Sequence, residues 1–146
     1  MNPITLARRP PMQLLAAAIV ATTALAWHGG VGAQSNAPVT VTSIERSVTV
    51  KVTPRSVAGA EWEFAVVLDT HSAKLDDDLV RTAVLRVDGR ESRPVRWTGA
   101  KPGGHHREGV LTFASPGRAV GPVELLILRT GEPAPRVFRW DAISLR

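Results

Sequence analysis

The sequence predicts an all-β chain folded as a two-sheet antiparallel sandwich of seven to eight strands, and three observations carry that prediction. Short apolar runs alternate with period two, as half-buried strands do. Turn signals such as Asp88-Gly89, Ser115-Pro116-Gly117 and Gly131-Glu132-Pro133 punctuate them at intervals of roughly 8–12 residues. No helical period of useful length interrupts the pattern.

The elements follow in order. Val39 and Val41 share one parity, whereas Ile44, Val48, Val50 and Val52 share the other, so the spacing predicts a bulge or turn near Ser43. Pro54 is expected to end that segment, and residues 55–60, with Gly59, form a loop. The clearest strand comes next: Trp62, Phe64, Val66 and Leu68 alternate with Glu61, Glu63, Ala65 and Val67, and the run leads into Asp69-Thr70-His71-Ser72. In Leu75-Asp76-Asp77-Asp78-Leu79 the spacing fails a helix–loop–helix calcium loop. Asp76 is therefore expected to cap a short turn while Leu75 and Leu79 cover the edge of the core.

Ala83, Leu85 and Val87 form a strand that turns at Asp88-Gly89. The return strand is expected over residues 93–97, with Val95 and Trp97 on one face. Residues 98–104 are a loop ending at His105-His106, and Val110 to Phe113 is a strand. Residues 123–128 are apolar on both parities except at Glu124, which predicts a central strand covered on two sides. The last strand spans residues 136–140, with Phe138 and Trp140 inward. Trp62, Trp97 and Trp140 all fall in phase with core positions. The strand spacing fits an immunoglobulin-like or cupredoxin-like arrangement.

Residues 1–33 read as a cleavable secretory signal. Arg8 and Arg9 precede an apolar run from Leu14 to Ala26, and Val31-Gly32-Ala33 is the preferred peptidase site, with Ala24-Leu25-Ala26 second. The run falls short of the roughly 20 apolar residues that a spanning helix needs, so no transmembrane segment is expected in the mature chain. Cleavage after Ala33 leaves residues 34–146, enough for one β-sandwich domain. The address is periplasmic or secreted. With no cysteine, neither a disulfide nor a lipid anchor on cysteine is available, and the core alone must hold the domain together.

Of the 18 cations the signal takes two, which leaves 16 against 13 acids, a mildly basic balance. The cations are spread singly along the chain, so no nucleic-acid partner is expected. No Gly-x-Ser-x-Gly elbow or glycine-rich phosphate loop occurs, and Ser72 beside His71 is poorly placed for a nucleophile–base pair. The chain is not expected to be an enzyme.

The four histidines carry what chemical signal there is. His28 lies in the signal, and the other three, His71, His105 and His106, lie at strand ends, the last two behind Gly103-Gly104. If the two loops meet at one pole, His71 and His105, with His106 and Asp69 as further candidates, make a nitrogen and oxygen site suited to copper(II) or zinc. The methionines, Met1 and Met12, both fall in the signal, which removes soft copper(I) ligation. Alternatively, a turn histidine pins its loop by hydrogen bonding a neighbouring carbonyl or carboxylate.

The segment His105-x3-Gly109-x3-Phe113 resembles the C-terminal copper-site segment of CopC-type periplasmic copper-binding proteins. The resemblance implies a cupredoxin-like fold with His105 as copper ligand and Phe113 in the core. That family also uses a histidine at the mature N-terminus, where cleavage after Ala33 would leave Gln34. Over most of residues 61–140, Asp69-Thr70-His71-Ser72 paired with Gly103-Gly104-His105-His106 and a closing Phe138-Arg139-Trp140 resembles a group of small exported bacterial β-sandwich proteins. This second resemblance implies the fold and the exported address. The sequence thus leads to an exported binding module with a divalent copper or zinc ion, or alternatively to a metal-free module that binds another envelope protein.

Overall fold

A computed structural model describes residues 39–145, and the expected secretory signal lies outside the described residues. Two antiparallel sheets face each other. The first has five strands in the order β1 (Val41–Glu45), β2 (Val48–Ser56), β3 (Glu61–Thr70), β7 (His106–Ala114) and β6 (Arg96–Gly99). The second has four, in the order β5 (Arg90–Ser92), β4 (Ala83–Val87), β8 (Val123–Ile127) and β9 (Arg136–Trp140). A single helical turn, α1 (Leu79–Thr82), precedes β4, and a 3-10 turn follows β9 over Ala142–Leu145. None of the described helices is long and apolar enough to cross a membrane.

The core forms because the apolar parity of each long strand faces the opposite sheet. Val48, Val50 and Val52 of β2, Trp62, Phe64, Val66 and Leu68 of β3, and Leu111 and Phe113 of β7 are buried from one side. Ala83, Leu85 and Val87, Val123, Leu125 and Ile127, and Phe138 and Trp140 are buried from the other. Phe64 sits at the centre, edge-on to Phe113 at 5.8 Å and tilted against Trp140 at 5.6 Å between ring centroids. Each such ring contributes about 1.5–3 kcal/mol through burial, the main force available to a domain without cross-links.

Several elements differ from the sequence reading, each for a local reason. The parity change expected near Ser43 occurs at Arg46-Ser47, a two-residue turn with both residues at positive φ (47° and 60°). It pairs Val41 with Val52 and puts Ile44 on the outer face, 73% exposed, rather than in phase with Val48. Pro54 does not end β2, which continues to Ser56 through an irregularity between Pro54 and Ser56. Residues 93–97 are not a return strand. The return is β5, and residues 93–95 carry the chain to the other sheet, where the Val95 amide donates to the Thr112 carbonyl at 2.7 Å. Pro94, having no N–H, cannot extend the β4–β5 ladder. Strand β8 is central but covered on one side only, since Glu124 and Leu126 are half-buried. The α1 cap is Asp78, whose carboxylate accepts from the Val80 amide at 3.1 Å, in place of Asp76.

Candidate functional site

Strands β3 and β7 are neighbours, and their register sets Asp69 opposite His106. Both side chains belong to the outer parity, since Leu68 and Arg107 face inward. His106 Nδ1 lies 2.5 Å from Asp69 Oδ1, and because a carboxylate only accepts, Nδ1–H is the donor. Glu108, two residues along the same face, brings Oε2 to 3.6 Å from His106 Nε2. The hydrogen bond to Asp69 raises the His106 pKa above its ordinary value. Desolvation opposes this, and the charges of Asp69 and Glu108 add to it. The neighbouring acids thus favour the protonated form of the imidazole.

One hydrogen bond brings the two histidine loops together. The Thr70 amide at the end of β3 donates to the His105 carbonyl at 2.8 Å. The Thr70 hydroxyl donates to the Ser47 carbonyl at 2.8 Å and accepts from the Ala73 amide at 3.0 Å, which starts the following loop as a tight turn. His71 and His105 are thus at the same pole and both exposed. Their imidazoles take part in no hydrogen bond or ion pair among the described residues, and no group of three or more histidine or acidic side chains there is arranged to hold a metal ion. Of the four residues singled out in the sequence, the structure joins His106 to Asp69 and leaves His71 and His105 facing solvent.

Beneath these loops lies a buried network of charge. Arg107, 2% exposed, donates from Nε to the Ala100 carbonyl at 3.1 Å and from Nη1 to the Asp77 carbonyl at 2.6 Å. Its guanidinium carbon lies 5.2 Å from the ring centroid of Trp97, a cation–π contact. Burial lowers the Arg107 pKa, while Asp77, Asp78 and Asp76 act in the opposite sense. The Asp77 carboxylate accepts from Arg129 Nε at 2.9 Å and from the Thr130 amide at 2.8 Å. Arg129 also reaches the Lys74 carbonyl at 2.7 Å. Arg136 pairs with Glu132 and donates to the carbonyls of Val48 and Glu45, both at 2.8 Å, which ties β9 to the β1–β2 turn. Arg107, Arg129 and Arg136 each occupy the inward parity of an apolar run. A cation in core phase is a signal that the sequence did contain.

No family model matches this chain. Nor does any curated protein or solved structure match it.

The chemistry of the pole follows from which groups are committed. The guanidiniums are engaged by carbonyls and carboxylates and act as braces. Beside them a cavity of about 300 Å³ opens between Arg46, Ala73, Lys74, Asp76 and Gly131. Acids and bases line it in mixture. What reaches solvent is a set of fixed loops carrying imidazoles.

Proposed function

We propose that the chain is an exported, metal-free interaction module of the cell envelope, which presents the loops at this pole to another protein. The observation that carries the reading is the network of Arg107, Asp77, Arg129, Glu132 and Arg136, which holds the loops at Lys74, Asp77 and Ala100 by their backbone carbonyls and the segment 128–135 through the Thr130 amide and the Glu132 carboxylate. Loops fixed before encounter lose little conformational freedom on binding. His106, engaged by Asp69, acts as a pin between β3 and β7, while His71 and His105 are free to touch a partner. The exported address rests on the signal character of residues 1–33. A pull-down from envelope extract in chelator tests the reading. A partner kept by the wild-type chain and lost by the His71→Ala, His105→Ala double variant supports it, and release by chelator alone overturns it.

A second reading, a divalent copper or zinc site, draws support from one geometric detail. Asp69 orients His106 as carboxylates orient metal-binding imidazoles, and Nε2 then faces Glu108 across 3.6 Å. In this reading His106 and Glu108 are the ligands, and His71 or His105 would have to supply a third. Isothermal titration with copper(II) and with zinc decides it: binding tighter than about 10 µM that His106→Ala abolishes supports the site, and weaker binding rejects it.

A further inference from the structure

The outer face of the four-stranded sheet carries two rows of different character. In one, Arg86 reaches Glu91 at 2.6 Å and Glu124 at 3.2 Å, and Arg139 reaches Glu124 at 2.9 Å, so the charges compensate one another. In the next, register places Val84, Leu126 and Val137 side by side, an apolar row on a solvent face. Leu128 beyond it is 43% exposed and Val137 is 51% exposed. A cavity of about 280 Å³ opens here, with Val84, Leu126, Leu128 and Pro135 in its lining. That is just below the range for small-molecule pockets, roughly 300 Å³ and upward, and fits a small ligand.

Its polar wall is unbalanced. Arg81 and Arg93 both line the cavity, and neither forms an ion pair among the described residues. Arg93 Nη1 donates to the Arg81 carbonyl, which fixes that guanidinium beside the apolar lining. The acid at the rim, Glu91, is already taken by Arg86. Thr82 also lines the cavity, and its hydroxyl is buried without a hydrogen-bond partner among the described residues, a state that is costly to leave unrelieved.

We infer that this cavity binds a small organic carboxylate with an apolar body, its anionic end on Arg81 and Arg93 and its hydrocarbon on Leu126, Leu128 and Pro135. Two unpaired guanidiniums ask for a carboxylate, which each can meet with paired hydrogen bonds, and the apolar lining rejects a fully hydrated anion. The site lies on the opposite sheet from His106 and stands or falls independently of the interaction reading.

Amide-resolved NMR titration of the protein with phenylacetate and with its neutral counterpart 2-phenylethanol tests the inference. Phenylacetate should give saturable shifts at Val84, Leu126 and Leu128. The Arg81→Gln, Arg93→Gln variant, altered only at exposed side chains, should bind it about tenfold more weakly and leave 2-phenylethanol unaffected. Equal affinity for the two probes, or no saturable shift at the solubility limit, overturns the assignment. An acetylated tetrapeptide ending in phenylalanine separates the sources of the carboxylate: tighter binding than phenylacetate assigns the site to a peptide C-terminus, and exclusion assigns it to a free acid.

Discussion

The guanidinium of Arg107 reaches the backbone carbonyl of Asp77 at 2.6 Å and leaves the carboxylate of that residue to Arg129. One buried aspartate therefore joins two arginines from different sheets, β7 through its peptide and the end of β8 through its side chain. Such networks contribute mainly to specifying one conformation, because desolvation offsets much of their Coulomb energy, but removing one member is expensive.

Asp77→Ala should lower the stability of the domain by about 3–5 kcal/mol, since it strands the buried Arg129, whose other acid, Glu132, is 3.9 Å away. Urea unfolding at pH 7 measures this. The same residue sets an acid limit. Burial alone would raise the Asp77 pKa, but the Thr130 amide and Arg129 outweigh it and hold it below the ordinary value. A group with a depressed folded pKa stabilises above its unfolded value, so this contribution should vanish as pH falls below about 4. Asp77→Asn should flatten the stability profile in that window, and an unchanged profile would remove Asp77 from the acid response.

Strand β6 rests on β7 through two glycines. A Cβ on Gly109 would lie 2.6 Å from both the Thr98 carbonyl oxygen and Cζ2 of Trp97, and one on Gly99 would lie 2.4 Å from the Glu108 carbonyl oxygen. Trp97 is itself tied by its indole N–H to the Ala100 carbonyl at 2.9 Å and lies against Arg107. Gly109→Ala should therefore cost about 1–3 kcal/mol and displace Trp97. A red-shifted tryptophan emission accompanying the lost stability would report both, whereas wild-type emission and stability would mean that β6 yields without strain.

Strand β3 was legible because its inward apolar residues alternate with acids and small residues, a pattern that only one register satisfies. Trp62 to Leu68 are buried at the expected parity, as are Ala83, Leu85 and Val87. The break between β1 and β2 lies beyond the expected Ser43 because Arg46-Ser47 has none of the glycine, asparagine or aspartate that marks a left-handed two-residue turn. The division between β5 and β6 was hidden because Val95 and Trp97 keep an inward-looking alternation across a change of sheet. At the pole, adjacency of His105 and His106 showed that one would face away from the other, but the choice depends on pairing with Asp69, which is tertiary. The buried arginines are legible only by parity, since Arg107, Arg129 and Arg136 stand in core phase while charge alone points to the surface.

The β1–β2 turn offers a prediction of opposite sign. Ser47 adopts φ 60° and Arg46 φ 47°, a left-handed pair that glycine and asparagine adopt at lower cost. The Ser47 carbonyl is held by the Thr70 hydroxyl, which keeps the turn in place despite its residues. Relief of a left-handed non-glycine residue is worth about 1 kcal/mol, partly offset by the greater freedom of glycine in the unfolded chain. Ser47→Gly should raise the melting temperature by a few degrees, and a lower one would show that the serine side chain contributes something the backbone angles do not reveal.

The last prediction concerns pH at the His106 pin. Its pKa is raised first by the hydrogen bond to Asp69 and further by the charges of Asp69 and Glu108. A cationic group with a raised folded pKa stabilises fully below its unfolded value, near 6.5, and the contribution disappears as pH climbs through the folded value. The domain should therefore melt higher at pH 6 than at pH 8, by a margin that His106→Gln and Asp69→Asn both erase. Because the pair is exposed, added salt should shrink the margin as well. Proton NMR of the imidazole gives the direct check: His106 should titrate above 6.5 in the wild type and fall toward that value in Asp69→Asn. A wild-type titration at or below 6.5 would mean that the Asp69 contact does not persist in solution, and the histidine would then be as free to meet a ligand as His71 and His105.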